Sequence, residues 1–65
     1  MLAKELNGTY VGKYVRFVKG ERYVCTDMIT MITHKKNGDV IIRSGKNNRQ
    51  HEVRGTAPVW EVYYD

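Results

Sequence analysis

The fold class of this chain is decided by one stretch, ITMITHKKNGDVIIR at residues 29–43. It predicts a β-hairpin, because the runs on either side of Asn37-Gly38 are rich in β-branched and apolar residues, which prefer strands. Asn and Gly both tolerate the positive φ angles that a two-residue type I′ turn requires. We therefore expect a two-residue turn that sets Lys36 opposite Asp39.

That register decides which hairpin side chains share a face. It predicts two sets on opposite sides of the ribbon: Met31, Thr33, Val40 and Ile42 on one, and Ile32, His34, Ile41 and Arg43 on the other. Both sets contain apolar residues. A homodimer that covers one of these faces is therefore an alternative to a fold closed within one chain.

Two strands are expected before the hairpin turn, and the second of them includes the first arm of the hairpin. Residues 1–6 predict a single helical turn, and residues 9–19 alternate as a strand whose core face holds Val11, Val15 and Phe17. Gly20-Glu21 is expected to form a turn, and residues 22–35 to form one long strand. The apolar positions of this strand change phase along its length, which predicts a bulge or bend near Thr26-Asp27.

The region after the hairpin predicts the rest of a five-stranded all-β domain. Residues 44–49 are a polar loop, residues 50–54 a short strand, and residues 55–58 a break with a single 3₁₀ turn. Residues 59–64 are expected to form the last strand, with Trp60 in the core because a small fold needs large apolar side chains.

This order, with a long bent second strand and a short turn before the last, resembles the Src-homology-type small barrel. The resemblance is topological and implies one small antiparallel barrel over residues 1–65. It implies no activity, because such barrels host peptide binders, nucleic-acid binders and scaffold parts alike.

Composition limits the function classes further. A lone Cys25 cannot form an internal disulfide, and with only His34 and His51 beside it a four-ligand zinc set is hard to assemble. We expect no cofactor and no metal. No apolar run approaches the length of a membrane span, so we expect a cytoplasmic protein without a membrane partner. The short basic sequence starting at Met1 is typical of a complete small reading frame of a phage or plasmid.

The placement of charge gives the leading functional hypothesis. The formal net charge is +4, and residues 35–54 hold six basic side chains against two acidic ones. Lys and Arg neutralise phosphates, and exposed aromatic rings stack on unpaired bases. We therefore predict nucleic-acid binding, to DNA or RNA and with low sequence specificity. The predicted binding residues are Lys35, Lys36, Arg43, Lys46, Asn47, Asn48, Arg49 and Arg54, with Tyr14 and Arg16 as a stacking pair on the first strand.

Catalysis has no comparable support. Cys25 lies in a strand-like run, where cysteine usually acts as a small buried hydrophobe, and no nucleophile-base motif or phosphate-binding loop is present. We predict that the protein is not an enzyme and has no catalytic residues. The alternative function is a protein-interaction module that modulates a host protein or forms part of an assembly, through exposed Ile32, Ile41, Tyr63 or Tyr64.

Overall fold

A computed structural model of the chain describes residues 1–19 and 23–63. Two 3₁₀ turns, Ala3–Glu5 and Gly8–Tyr10, precede five strands. The strands are β1 (Tyr14–Lys19), β2 (Tyr23–His34), β3 (Val40–Ser44), β4 (Arg49–Val53) and β5 (Val59–Val62). No helix in the described ranges is long and apolar enough to cross a membrane.

The five strands form one antiparallel sheet in the order β4-β3-β2-β1-β5. The first half of β2 pairs with β1, and the second half pairs with β3. The edge strands β4 and β5 are not paired with each other in the described ranges, so the sheet is open. The prediction of an all-β domain with five antiparallel strands is confirmed.

The hairpin is present, but the predicted register is wrong by one residue. His34 lies opposite Val40, and Lys35 N–H donates to the Asp39 carbonyl at 2.9 Å. Gly38 N–H donates to the Lys35 carbonyl at 3.1 Å. Among the residues of this loop, Gly38 alone takes a positive φ, of 93°. These contacts define a three-residue loop, in which a type I turn is followed by a left-handed glycine.

The extra loop residue changes which hairpin side chains face the core. Ile32 lies opposite Ile42 on the inner face, and Ile41 lies opposite Thr33 on the outer face. Ile42 and Val40 are fully buried, and Ile32 packs against the core. The predicted grouping of Met31 with Ile42 and of Ile32 with Ile41 is therefore wrong.

The phase change in β2 comes from a bulge that lies later than predicted. Ile29 pairs with Ser44 and Met31 with Arg43, so Thr30 is the extra residue rather than Thr26 or Asp27. Because of it, Ile29 and Ile32 both face inward although three positions separate them. The bulge keeps one side of β2 on the core through both halves of the strand.

The core lies between the two halves of the sheet and is capped by the first 3₁₀ turn. Its buried side chains are Ala3, Leu6, Val15, Phe17, Ile29, Val40, Ile42, Val53 and Val59. Phe17 from β1 meets the buried His51 ring from β4, with centroids 5.2 Å apart. The Met1 amino group donates to the Val59 carbonyl at 3.0 Å, and Val59 N–H donates to the Met1 carbonyl at 2.8 Å. These two hydrogen bonds hold the N-terminus on β5.

Several smaller predictions are corrected by the structure. The first strand starts at Tyr14 rather than at residue 9, and Val11 is 46% exposed instead of buried. Residues 55–57 form a hydrogen-bonded turn, Ala57 N–H to the Arg54 carbonyl, rather than a 3₁₀ helix. The expected turn at Gly20-Glu21 and the expected strand end at Tyr64 lie outside the described residues.

Candidate nucleic-acid interface

The first candidate surface is the outer face of the sheet formed by β2, β1 and β5. Alternate residues of a strand point to opposite faces, and Val15 and Phe17 point inward. The outward residues, called the aromatic face below, are Tyr14, Arg16, Val18, Val24, Thr26, Met28, Trp60 and Val62. Trp60 is 49% exposed and Tyr14 is 42% exposed. This face therefore offers two large rings to a ligand.

The position of Trp60 differs from its predicted place in the core. Val59 lies opposite Phe17 and is fully buried, so the next residue along β5 must point outward. Sequence reasoning chose Trp60 for the core by its size. The alternation of β5 allowed either choice, and only the pairing of Val59 with Phe17 selects between them.

Arg16 lies in the middle of the aromatic face. It is directly opposite Trp60 on β5 and opposite Thr26 on β2. Its Nε–H donates to Thr26 Oγ1 at 3.2 Å, which fixes the stem of the guanidinium and leaves the terminal nitrogens as further donors. The structure therefore places a planar cation directly opposite an exposed indole, and Tyr14 lies two residues before Arg16 on the same face.

An acidic residue, Glu61, borders this face, but its charge is offset. Lys13 Nζ lies 3.3 Å from Glu61 Oε1, and the Tyr63 hydroxyl donates to Glu61 Oε2 at 2.7 Å. That hydrogen bond is the main reason why the pKa of Glu61 lies below its usual value. The same contact raises the pKa of the Tyr63 hydroxyl. An open groove of about 490 Å³ runs along Trp60, Val62 and these residues.

The turn at residues 45–48 adjoins the aromatic face. Gly45 N–H donates to the Met28 carbonyl at 3.0 Å, and Met28 is opposite Tyr14. Asn48 Oδ1 accepts from the Thr30 hydroxyl at 2.5 Å, which attaches the turn to the β2 bulge. The turn is thus held against the middle of β2 and next to the row that contains Tyr14.

Gly45 is required for this close contact. Its φ is +74°, and a Cβ built there would lie 2.7 Å from Asp27 Oδ2. Left-handed backbone is costly for residues with a side chain. The glycine of the predicted loop therefore has a structural role, which is to let the turn approach β2.

Two cations of the predicted loop lie in the 45–48 turn or directly after it. Lys46 is exposed in the turn, next to Asn47. Arg49 begins β4 opposite the buried Ser44, so it shares the side of β4 on which His51 is buried. It lines a cleft of about 240 Å³ with Cys25, Asp27 and His51. The structure therefore places Arg49 on the core side of the sheet and not beside Arg16.

The outer side of the second half of the sheet is different. This surface, called the hairpin face below, consists of Met31, Thr33, Lys35, Ile41, Arg43, Gln50 and Glu52. Lys35 Nζ lies 2.5 Å from Glu52 Oε1, and this contact raises the pKa of Lys35. Arg43 Nη2 donates to Gln50 Oε1 at 3.3 Å. Both predicted cations of this face are thus already engaged by neighbouring acceptors.

Lys36 and Arg54 lie at the far end of the hairpin. Gly38 and Gly55 approach so closely there that a Cβ on Gly55 would lie 2.3 Å from the Gly38 carbonyl oxygen. β3 spans five residues, so this end is about 16 Å from the 45–48 turn. The ten predicted residues therefore do not form one surface. Tyr14 and Arg16 share the aromatic face, Lys46, Asn47 and Asn48 lie in the turn beside β2, and Arg49 lies on the core side of β4. Lys35, Lys36, Arg43 and Arg54 are placed apart from all of these.

Comparisons of the chain with models of protein families, with curated proteins and with solved structures found no match.

Proposed function

We propose that this chain is a non-catalytic nucleic-acid-binding module of low sequence specificity. The observation that supports the proposal is the position of Arg16 opposite the exposed Trp60 on the aromatic face, with the 45–48 turn and its Lys46 held against β2 at Met28. Cations that neutralise phosphates and rings that stack on bases are thereby neighbours. Both are needed for a sequence-tolerant site.

The proposal also includes the architecture of the domain. A long second strand that bends at a bulge, and a short turn before the last strand, are the features of a Src-homology-like barrel. Closure in such a barrel would be completed by side-chain contacts across the core, of which the Phe17–His51 ring contact is one. We therefore assign the domain to this architecture as part of the proposal. It presents sheet faces and short loops to a ligand, without a recognition helix in the described ranges.

The test is a pair of variants that lose the same charge at the two opposite ends of the paired strands β3 and β4. Lys46→Gln with Arg49→Gln should weaken binding of a short oligonucleotide about tenfold or more at low salt, because two phosphate contacts are lost. Lys36→Gln with Arg54→Gln is the matched control, and we expect a change below about threefold. Equal losses in the two variants, or wild-type protein that does not bind at low salt, would refute the proposal.

The second candidate function is a protein-interaction module. The observation that favours it is the apolar character of the aromatic face, where Arg16 is the single charged residue among eight. Rings with one arginine are also typical of protein interfaces. Binding that does not change with added salt, together with no affinity for oligonucleotides, would favour this alternative.

A further inference from the structure

We infer that the aromatic face takes single-stranded nucleic acid, with one base stacked on the indole of Trp60 and the adjoining phosphate held by Arg16. This inference rests on the proposed function and specifies its ligand. The juxtaposition of Trp60 and Arg16 across β5 and β1 is its structural basis. Tyr14, on the same face, lies in the neighbouring row of the sheet.

The exposure of Trp60 argues for an unpaired base. Half of this side chain is accessible, although burying it would be favourable for so small a domain. In a duplex the faces of the bases are covered by their neighbours in the stack, so an indole could reach only edges, sugars and phosphates. A splayed base, in contrast, offers a whole π face to the ring.

The shape of the site argues against a duplex for a second reason. A groove of B-DNA is read by an element that protrudes into it, such as an α-helix or a two-stranded ribbon. Trp60 instead lies on the face of a sheet, beside the open groove of about 490 Å³ that Val62 and Tyr63 also line. The flat ring of an unpaired base can enter that groove from the side and lie against the indole of Trp60.

The charges on the aromatic face indicate how a single-stranded nucleic acid would cross it. Among the side chains that the structure describes, the ion pairs are Lys13–Glu61 and Lys35–Glu52, so Arg16 has no carboxylate partner there. A single strand that leaves Trp60 across β1 meets Arg16 directly, since the two residues are opposite each other in the sheet. The phosphate next to the stacked base would thus be neutralised.

The experiment uses the one tryptophan of the chain as an intrinsic probe. Wild-type protein is titrated with a short oligothymidylate, with an abasic oligomer of the same phosphate number, and with a hairpin duplex of the same phosphate number. We expect oligothymidylate to quench Trp60 fluorescence and to bind about tenfold tighter than the other two, as expected for one stacked base.

A variant pair makes the result specific to the stacking contact. Trp60→Leu should reduce the affinity for oligothymidylate to that for the abasic oligomer and leave the abasic affinity unchanged. Met31→Leu is the control, since Met31 is 48% exposed on the hairpin face and should change neither. Amide spectra of both variants verify that they are folded.

The possible failures are distinguishable. Equal binding of all three ligands without quenching would overturn the stacking inference and leave nucleic-acid binding intact. Tightest binding of the hairpin duplex would overturn the assignment to single strands. Absence of binding by any of the three at low salt would instead refute the proposed function itself.

Discussion

The aromatic face and the hairpin face are built from strands in the same way but differ in the partners of their cationic side chains. Both are outer faces of three strands and both include part of β2. On the hairpin face the cations are satisfied internally, Lys35 by Glu52 and Arg43 by Gln50. On the aromatic face Arg16 donates to the hydroxyl of Thr26, with no carboxylate partner among residues 1–19 and 23–63, and lies opposite a half-exposed Trp60. The two faces therefore differ less in their number of cations than in the partners that those cations already have.

The largest expected effect comes from separating the 45–48 turn from the aromatic face. Gly45→Ala forces a side chain into left-handed backbone and towards Asp27, so we expect a loss of about 1–2 kcal/mol in the free energy of unfolding. Chemical denaturation measures it.

The matched control for this change is Gly8→Ala. Nothing lies within 4 Å of a Cβ placed there, and Gly8 is not among the glycines with positive φ. We expect a change below about 0.5 kcal/mol, as for an ordinary surface substitution. If Gly45→Ala were no more harmful than Gly8→Ala, the close contact between the turn and β2 would not be needed for the fold.

The next largest effect is expected from a comparison of two single variants, each of which removes one arginine from one of the two faces. Arg16→Gln should weaken oligonucleotide binding about fivefold and lower the slope of log affinity against log salt by about 0.7, the value for one contact to a single strand. Arg43→Gln removes the same charge from a side chain that Gln50 already engages, so the loss should be about twofold or less. Fluorescence titrations at several salt concentrations measure both, and equal effects would contradict the distinction between the faces.

The smallest expected effect makes the hairpin face more like a binding surface. Glu52→Gln removes the carboxylate that engages Lys35, so we expect oligonucleotide affinity to rise about twofold as a cation is released. The pKa of Lys35 should fall towards its usual value, which lysine-directed NMR at alkaline pH can follow.

The pH dependence of that ion pair has a defined sign. A raised lysine pKa stabilises the fold below about pH 10.5, and this contribution is lost as the pH rises through the higher folded value. Wild type should therefore lose more stability than Glu52→Gln as the pH rises through the alkaline range, which chemical denaturation at several pH values measures. Equal alkaline losses in the two proteins would contradict this assignment to Lys35.

Local patterns in the sequence were enough to predict much of the fold. Strand preference and the Asn37-Gly38 pair give the hairpin, and the polar run at residues 45–48 gives the next turn. The loop length was wrong because Asn37-Gly38 suits both a two-residue turn and a three-residue turn with Gly38 left-handed. A shift of one residue exchanges the faces of a strand, so this single ambiguity misplaced Ile32 and Ile41.

The candidate site was less predictable because it depends on pairing between distant strands. That Trp60 faces outward follows from Val59 meeting Phe17, which no local pattern contains. That Arg49 lies on the core side and not beside Arg16 follows from its pairing with the buried Ser44, which depends on the register between β3 and β4. Charge counting along the chain treated Lys36 and Lys46 as one group, whereas the length of β3 separates them.

The bulge at Thr30 has a consequence for how this domain tolerates changes of length. The two halves of β2 keep the same side on the core because Thr30 stands outside the alternation as an unpaired residue. Deleting Thr30 would place Met31 directly after Ile29 and restore regular alternation, with Ile29 and Ile32 still facing the core and Met31 and Thr33 still facing outward. A frame-preserving deletion of this codon is thus expected to remove the bend that the bulge gives to β2 and to leave the core-facing residues of the strand unchanged.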